Sequence, residues 1–383
     1  MSSHSHIAKA SRSTPQPGFT TFAEIDKSKL FENIRILQKQ AGHIEVMAVV
    51  KADAYGHGVA SMSKLFTTAG ITRFMVATLD EAIQLRSIVP HAQILVASPP
   101  HAENLPVYQD LSLDASVTSA SAAAELLAAA GQGLKINLHA KIDTGMNRLG
   151  IAIDDANDVI QQLLASPNIE LAGIWSHLAT AGAEDKSFAR NQIAEAYKIV
   201  NQHPAFKGYF HVGNSGTLLN LRDDIGRRDK ELIRLGGALL GIPASKRLAQ
   251  VFDLQAVMSL KSKVIHVNPI KAGDSVSYGR LWRAEQDTQV AVIGAGYADG
   301  YPSALYQKGR VLINQTAYPI AGRVCMDMFM IDIGLSNKRV NPGDDVVLFG
   351  QGHQSIYDLA ALAGLVHYEI CCRIPMRVPR HFV

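Results

Sequence analysis

The chain has 383 residues, 47% of them hydrophobic and 19% charged, which assures a substantial buried core and excludes a disordered chain. Thirty-seven Lys and Arg against 34 Asp and Glu leave a formal charge of +3, too small to point to a nucleic-acid partner. No apolar stretch is long enough to span a bilayer, so no membrane partner is expected, and three cysteines, two adjacent at Cys371 and Cys372, cannot build a disulfide framework.

Residues 1–18 are rich in Ser, His and Pro and lack the apolar stretch of a secretory signal; the basic, acid-free start also fits a transit peptide, but a flexible tail is the preferred reading. With no disulfides to form, a cytoplasmic location is expected. From residue 19 onward, short β-branched runs begin near Val46, Phe74, Ile94, Leu113, Ile136, Leu171, Phe210 and Leu232. Helical patterns follow most of them, as at Leu30–Gln40, Asp80–Leu85, Ser119–Ala130 and Asp154–Leu164, where Asp154 is suited to an N-cap. Such alternation over this length predicts an α/β fold, a (β/α)8 barrel over 19–252. An open doubly wound sheet would alternate too, but no G-x-G-x-x-G follows the first strand. After Gln250 the pattern changes. Strand-like runs at Val257–Val267, Gln289–Ile293, Arg310–Asn314, Ala317–Val324, Met328–Ile333 and Asp345–Phe349 carry little helix between them, apart from Ile356–Ala363. A smaller, mainly β domain over 253–383 is expected.

Chemistry is first signalled at Val49-Val50-Lys51-Ala52-Asp53-Ala54-Tyr55-Gly56-His57-Gly58. A lysine closing an apolar strand at a barrel's C-terminal end is placed for imine chemistry, since desolvation favours the neutral amine. Taken alone, Lys51 reads better as a lysine snorkelling to solvent from the strand end. No CxxC pair or clustered histidines with metal spacing appear, so no metal is expected.

The decapeptide resembles the cofactor motif of the alanine racemases, pyridoxal-phosphate enzymes of fold type III. Further segments match that family in order: Lys141-Ile142-Asp143-Thr144-Gly145-Met146-Asn147-Arg148, Trp175-Ser176-His177, Asn214-Ser215, Arg234-Leu235-Gly236, Ser277-Tyr278-Gly279, Gly296-Tyr297-Ala298-Asp299-Gly300, Arg323-Val324-Cys325-Met326-Asp327 and Tyr368-Glu369. The resemblance covers the chain from about Phe22 to its end and implies interconversion of L- and D-alanine through a pyridoxal 5'-phosphate aldimine. It also implies supply of D-alanine for peptidoglycan and a homodimer with shared active sites. The longer N-terminal tail and Pro302-Ser303 depart from the family pattern.

By this resemblance Lys51 carries the cofactor and serves one face of the α-carbon, and Tyr278 serves the other as a second base. His177 lies against the pyridine ring, and Arg234 faces its nitrogen as a permanent donor. Tyr55, Ser215, Gly236, Gly237 and Tyr368 hold the phosphate. Arg148 meets the substrate carboxylate together with the Met326 N–H, and Lys141 is a possible carbamate. Each has a plainer reading from the residues alone. Tyr278 fits a β-sheet aromatic, His177 a packed core residue, Arg234 an ion pair with Glu231, and Lys141 a solvent-facing strand lysine. A racemase of broader amino-acid range is the alternative activity, and a non-enzymatic pyridoxal-phosphate homeostasis protein is a weaker one. A fold-related decarboxylase would need a glycine triple and a cysteine motif that the chain lacks.

Overall fold

The computed structural model describes residues 20–335, 340–350 and 352–383. The tail expected over 1–18 lies outside the described residues. Two compact units are formed: one is Ser28–Ala256, and the other joins Val257–Val383 to the N-terminal segment through Lys27.

The first strand among the described residues is β1 (Phe22–Ile25), and eight more follow in the Ser28–Ala256 unit. They are β2 (Glu45–Val49), β3 (Arg73–Val76), β4 (Gln93–Val96), β5 (Asp114–Val117), β6 (Ile136–Lys141), β7 (Ile169–Trp175), β8 (Tyr209–His211) and β9 (Leu232–Leu235). All are parallel and ordered β8-β7-β6-β5-β4-β3-β2-β9. Parallel bridges Phe210–Glu231 and Asn214–Arg234 link β8 to β9 and nearly close the ring. Each strand sits at an expected apolar run, because strands covered on both sides read as continuous hydrophobic stretches. Met47, Met75, Leu95, Trp175 and Leu232, contributed by five strands, pack together as one core cluster.

The helices between strands bury one face each. Helix Lys27–Ala41 buries Leu30, Ile34 and Leu37, spaced for a single stripe. Helix Leu79–Ile88 starts on a capping box between Thr78 and Glu81, and Ser119 caps Ala120–Gly131. Helix Ile153–Ala165 departs from expectation, because its N-cap is the extended Ala152 and not Asp154. Asp154 and Asp155 fall in the first turn, where they face the positive end of the helix dipole.

The other unit is mainly β. Its long strand β10 (Met258–Ile270) pairs antiparallel with β1 in the register Ala23–Leu260, and β1 pairs parallel with Arg380–Phe382. The sequence reading puts residues 19–27 with the barrel. Strand pairing instead makes 22–25 an interior strand of this second sheet, because its partners lie far along the chain and leave no local signal. The strand expected over Ala317–Val324 ends at Pro319, ahead of Gly322 in the left-handed region.

Ala23 is fully buried and donates its N–H to the Pro379 carbonyl at 2.9 Å. Ala23→Pro deletes that donor from an interior strand and should cost about 3 kcal/mol or more of stability, read from the denaturant midpoint. An unchanged midpoint would contradict the pairing of β1.

Candidate active site

In a parallel barrel the loops leaving the strands' C-terminal ends gather on one rim. Lys51 lies two residues beyond β2, is exposed, and opens a turn of unusual hand. Ala52, Asp53, Ala54 and Tyr55 all have φ between 52° and 54°, a left-handed turn built without glycine. Each such residue costs roughly 1–2 kcal/mol, so surrounding bonds must hold it. Glu81 Oε1 accepts from the Ala52 N–H at 2.7 Å, and Asp53 Oδ1 accepts from the Val59 N–H at 2.7 Å. The helix that follows β3 thereby fixes the residue next to Lys51.

Arg234, on β9, is buried. Its Nη2 donates to the Ser176 carbonyl at 2.7 Å and lies 3.4 Å from His177 Nδ1, while Nη1 reaches His211 Nδ1 at 3.0 Å and the His211 carbonyl. An ion pair with Glu231 is not formed. Glu231 accepts from Tyr197 Oη at 2.7 Å and from the N–H groups of Gly226, Arg227 and Arg228. Burial lowers the Arg234 guanidinium to about 9, which leaves it charged at neutral pH.

His177 is half-buried just beyond β7. Desolvation, reinforced by Arg234, Arg148, Lys141 and Lys51, pushes its imidazole down to about 3 and keeps it neutral at physiological pH. Lys141, buried at the end of β6, has its Nζ 4.7 Å from the centre of the Trp175 ring. Burial first, then repulsion from Arg148 and Arg234, lowers it to about 8, with Asp143 pulling the other way. Arg148 is exposed on the loop after β6, which folds on Asp143 as its Oδ1 accepts from the Gly145 and Asn147 N–H groups at 2.9 and 3.1 Å. Four cations therefore converge on one neutral imidazole, an environment complementary to anions.

Ser215 opens the short helix Ser215–Asn220, capped by Asn214. Its Oγ lies 3.3 Å from the Gly236 N–H, and a Cβ on Gly236 would stand 2.5 Å from Tyr55 Oη. The bare backbone of Gly236 thus lets two hydroxyls and an N–H meet, a donor set that fits a phosphate. Gly237 follows directly, and its carbonyl accepts from the Leu240 and Ile242 N–H groups. Lys51, Tyr55, Lys141, Arg148, His177, Ser215, Arg234, Gly236 and Gly237 all belong to the Ser28–Ala256 unit.

Tyr278, Met326 and Tyr368 belong to the other unit. Tyr278 sits on a one-turn helix after Ser277, whose φ is +69°, with 73% of its surface exposed. Ser277 Oγ donates to the Arg323 carbonyl at 2.9 Å and lies 3.4 Å from Cys325 Sγ, bringing the Tyr278 and Met326 loops together. A Cβ on Gly296 would stand 2.1 Å from the Met326 carbonyl, so that loop also requires glycine beside it. Tyr368 packs against His367 with ring centres 4.0 Å apart, and desolvation raises its phenol to about 12. Two residues central to the barrel's electrostatics carry no motif: His211, on which Trp175 stacks at 5.5 Å, and His139, to which His211 bonds.

Comparison with known proteins follows the same division. The alanine racemase N-terminal domain matches residues 25–243, and the alanine racemase C-terminal domain matches 257–382. An alanine racemase of Carboxydothermus hydrogenoformans is 35% identical over 378 residues, covering 94% of this chain and 99% of its own. The crystal structure of alanine racemase from D-cycloserine producing Streptomyces lavendulae superposes with a TM-score of 0.87 at 30% identity, covering 97% of this chain and 98% of its own. A histidine racemase from Leuconostoc mesenteroides superposes with a TM-score of 0.87 at 29% identity, covering 96% and 99%. The chain is an isomerase and belongs to the alanine racemase family.

Proposed function

We propose that this protein interconverts L- and D-alanine with pyridoxal 5'-phosphate held on Lys51. The observation that carries this reading is the cationic rim of Lys51, Lys141, Arg148 and Arg234 around a neutral His177, with the Tyr55–Ser215–Gly236 donors beside it. Tyr55, Ser215, the Gly236 and Gly237 N–H groups and Tyr368 would hold the phosphate, and His177 would back the ring. Arg234 would face the pyridine nitrogen, where a guanidinium donates a hydrogen bond but does not give up its proton. When bound, the cofactor supplies an electron-withdrawing ring that stabilises negative charge at the substrate α-carbon. Lys51 Nζ takes or returns the proton on one face, and Tyr278 Oη does so on the other. Arg148 and the Met326 N–H bind the substrate carboxylate.

Loaded protein treated with borohydride should carry the pyridoxyl label on a Lys51 peptide, located by mass spectrometry. A label on any other lysine would overturn the assignment.

A carbamate on Lys141 would convert one of four clustered cations to an anion able to pair with Arg148. Its formation requires the neutral amine: the Nζ lone pair adds to the carbon of CO2 and a proton leaves to solvent. Because Lys141 is lowered to about 8, its neutral fraction grows as pH rises towards that value. Carbon-13 bicarbonate should therefore give a carbamate NMR signal that Lys141→Gln lacks. An identical signal in both proteins would refute the modification.

Lys51 and Tyr278 lie in different units. In keeping with the family resemblance, a head-to-tail homodimer would set one chain's Tyr278 at its partner's Lys51. Mixing Lys51→Ala with Tyr278→Phe would then give mixed dimers with one intact site each. Random pairing makes about half the dimers mixed, so activity should return to about a quarter of wild type. No recovery, with exchange verified by tags, would place both residues' action within one chain.

The structural likeness to a histidine racemase favours broader amino-acid turnover as the second reading. The D-alanine product would serve peptidoglycan synthesis in the cytoplasm, so deleting the gene should create a D-alanine requirement. Growth without D-alanine, in a strain with no second racemase, would count against that role.

A further inference from the structure

Arg234 needs a counter-charge, and no carboxylate is among its hydrogen-bond partners, which are His211, His177 and the carbonyls of Ser176, His211 and Val212. A route to one nevertheless exists through the barrel. His211 Nε2 lies 2.8 Å from His139 Nδ1, and His139 Nε2 lies 3.4 Å from Asp114 Oδ2. His211 and His139 are buried, whereas Asp114 opens the strand β5 and borders a polar cavity of about 310 Å³ with Arg73, Asn137 and Tyr209. Strands β5 and β6 enter the barrel at that end, opposite the rim that carries Lys51 and His177.

The proton positions follow from one fact. A guanidinium only donates, so Arg234 Nη1 requires His211 Nδ1 to be an acceptor. A neutral His211 then carries its proton on Nε2 and donates it to His139 Nδ1. His139 in turn carries its proton on Nε2, the ring nitrogen that lies 3.4 Å from Asp114 Oδ2. Desolvation and the Arg234 charge both hold His211 well below the usual histidine range, in keeping with a neutral ring. Gly173 is part of the arrangement: it lies opposite His139 on β7, and a Cβ there would stand 2.1 Å from His139 Nδ1.

We propose that His211, His139 and Asp114 form a polarised relay through the barrel that orients Arg234 towards the cofactor and couples its charge to a carboxylate at the opposite mouth. His139 and Asp114 are positioning residues, since neither belongs to the rim where substrate would bind. The proposal rests on the reading of Arg234 as the contact of the pyridine nitrogen.

Glutamine at 139 can reproduce the polarity, accepting from His211 and donating to Asp114, whereas leucine cannot. In loaded protein, His139→Leu should lower kcat about tenfold with KM unchanged and shift the pH titration of the bound chromophore's absorbance, while His139→Gln stays within about twofold of wild type. Nitrogen-15 NMR of histidine-labelled wild type, without cofactor, should show His211 and His139 both protonated on Nε2 alone. This readout stands even if the leucine variant does not fold. Wild-type kinetics and spectra in His139→Leu, equal losses in both variants, or a proton on His211 Nδ1 would each overturn the relay. Failure of wild type to bind pyridoxal phosphate would instead strike the proposed function, and the nitrogen shifts would still decide the relay.

Discussion

A guanidinium enclosed in the barrel, with carbonyl dipoles and imidazoles in place of a carboxylate, is the constraint on which this site depends. An isolated charge taken from water into a low-dielectric interior costs several kcal/mol even after relaxation. Arg234 offsets part of that through the Ser176 and His211 carbonyls, which sit at or just beyond the ends of β7 and β8. Trp175 adds its ring face, 4.9 Å from the guanidinium carbon. Burial, reinforced by the charges of Arg234 and Arg148, holds His177 neutral and lowers Lys141 towards its neutral form, and the clustered cations favour anions on the rim.

The backbone near Lys51 answers a different requirement. Four successive left-handed residues without glycine persist only where neighbouring groups over-determine them. Glu81 links the turn to the helix after β3, since its other carboxylate oxygen accepts from the Ala77 and Thr78 N–H groups at 2.7 and 3.3 Å. One side chain therefore caps a helix and secures the segment beside the exposed lysine. Rigid support of this kind holds a loop side chain in one geometry.

How much of this was legible in the sequence depends on how local the signal is. Barrel strands announce themselves through apolar β-branched runs, and motif segments containing Lys51, Tyr55, His177, Ser215, Arg234 and Gly236 converge on one rim because parallel register aligns their strand ends. Strand β1 was not legible as part of the β unit, because Phe22–Ile25 adjoins the barrel's first helix but pairs with β10 and Arg380–Phe382. The left-handed turn is equally silent, since Ala-Asp-Ala-Tyr contains none of the glycines that usually mark positive φ. His139 and His211 stand alone in sequence. Only the alignment of β6, β7 and β8 brings them together with Trp175.

The account rests on proton exchange at the α-carbon of alanine, and one measurement reaches that directly. Protein loaded with pyridoxal phosphate in deuterium oxide, offered L-alanine and L-histidine separately, is followed by chiral chromatography and mass spectrometry. The account predicts D-alanine carrying solvent deuterium at the α-position, formed faster than D-histidine and only with cofactor present. Faster turnover of histidine, or no deuterium entering alanine, would contradict it.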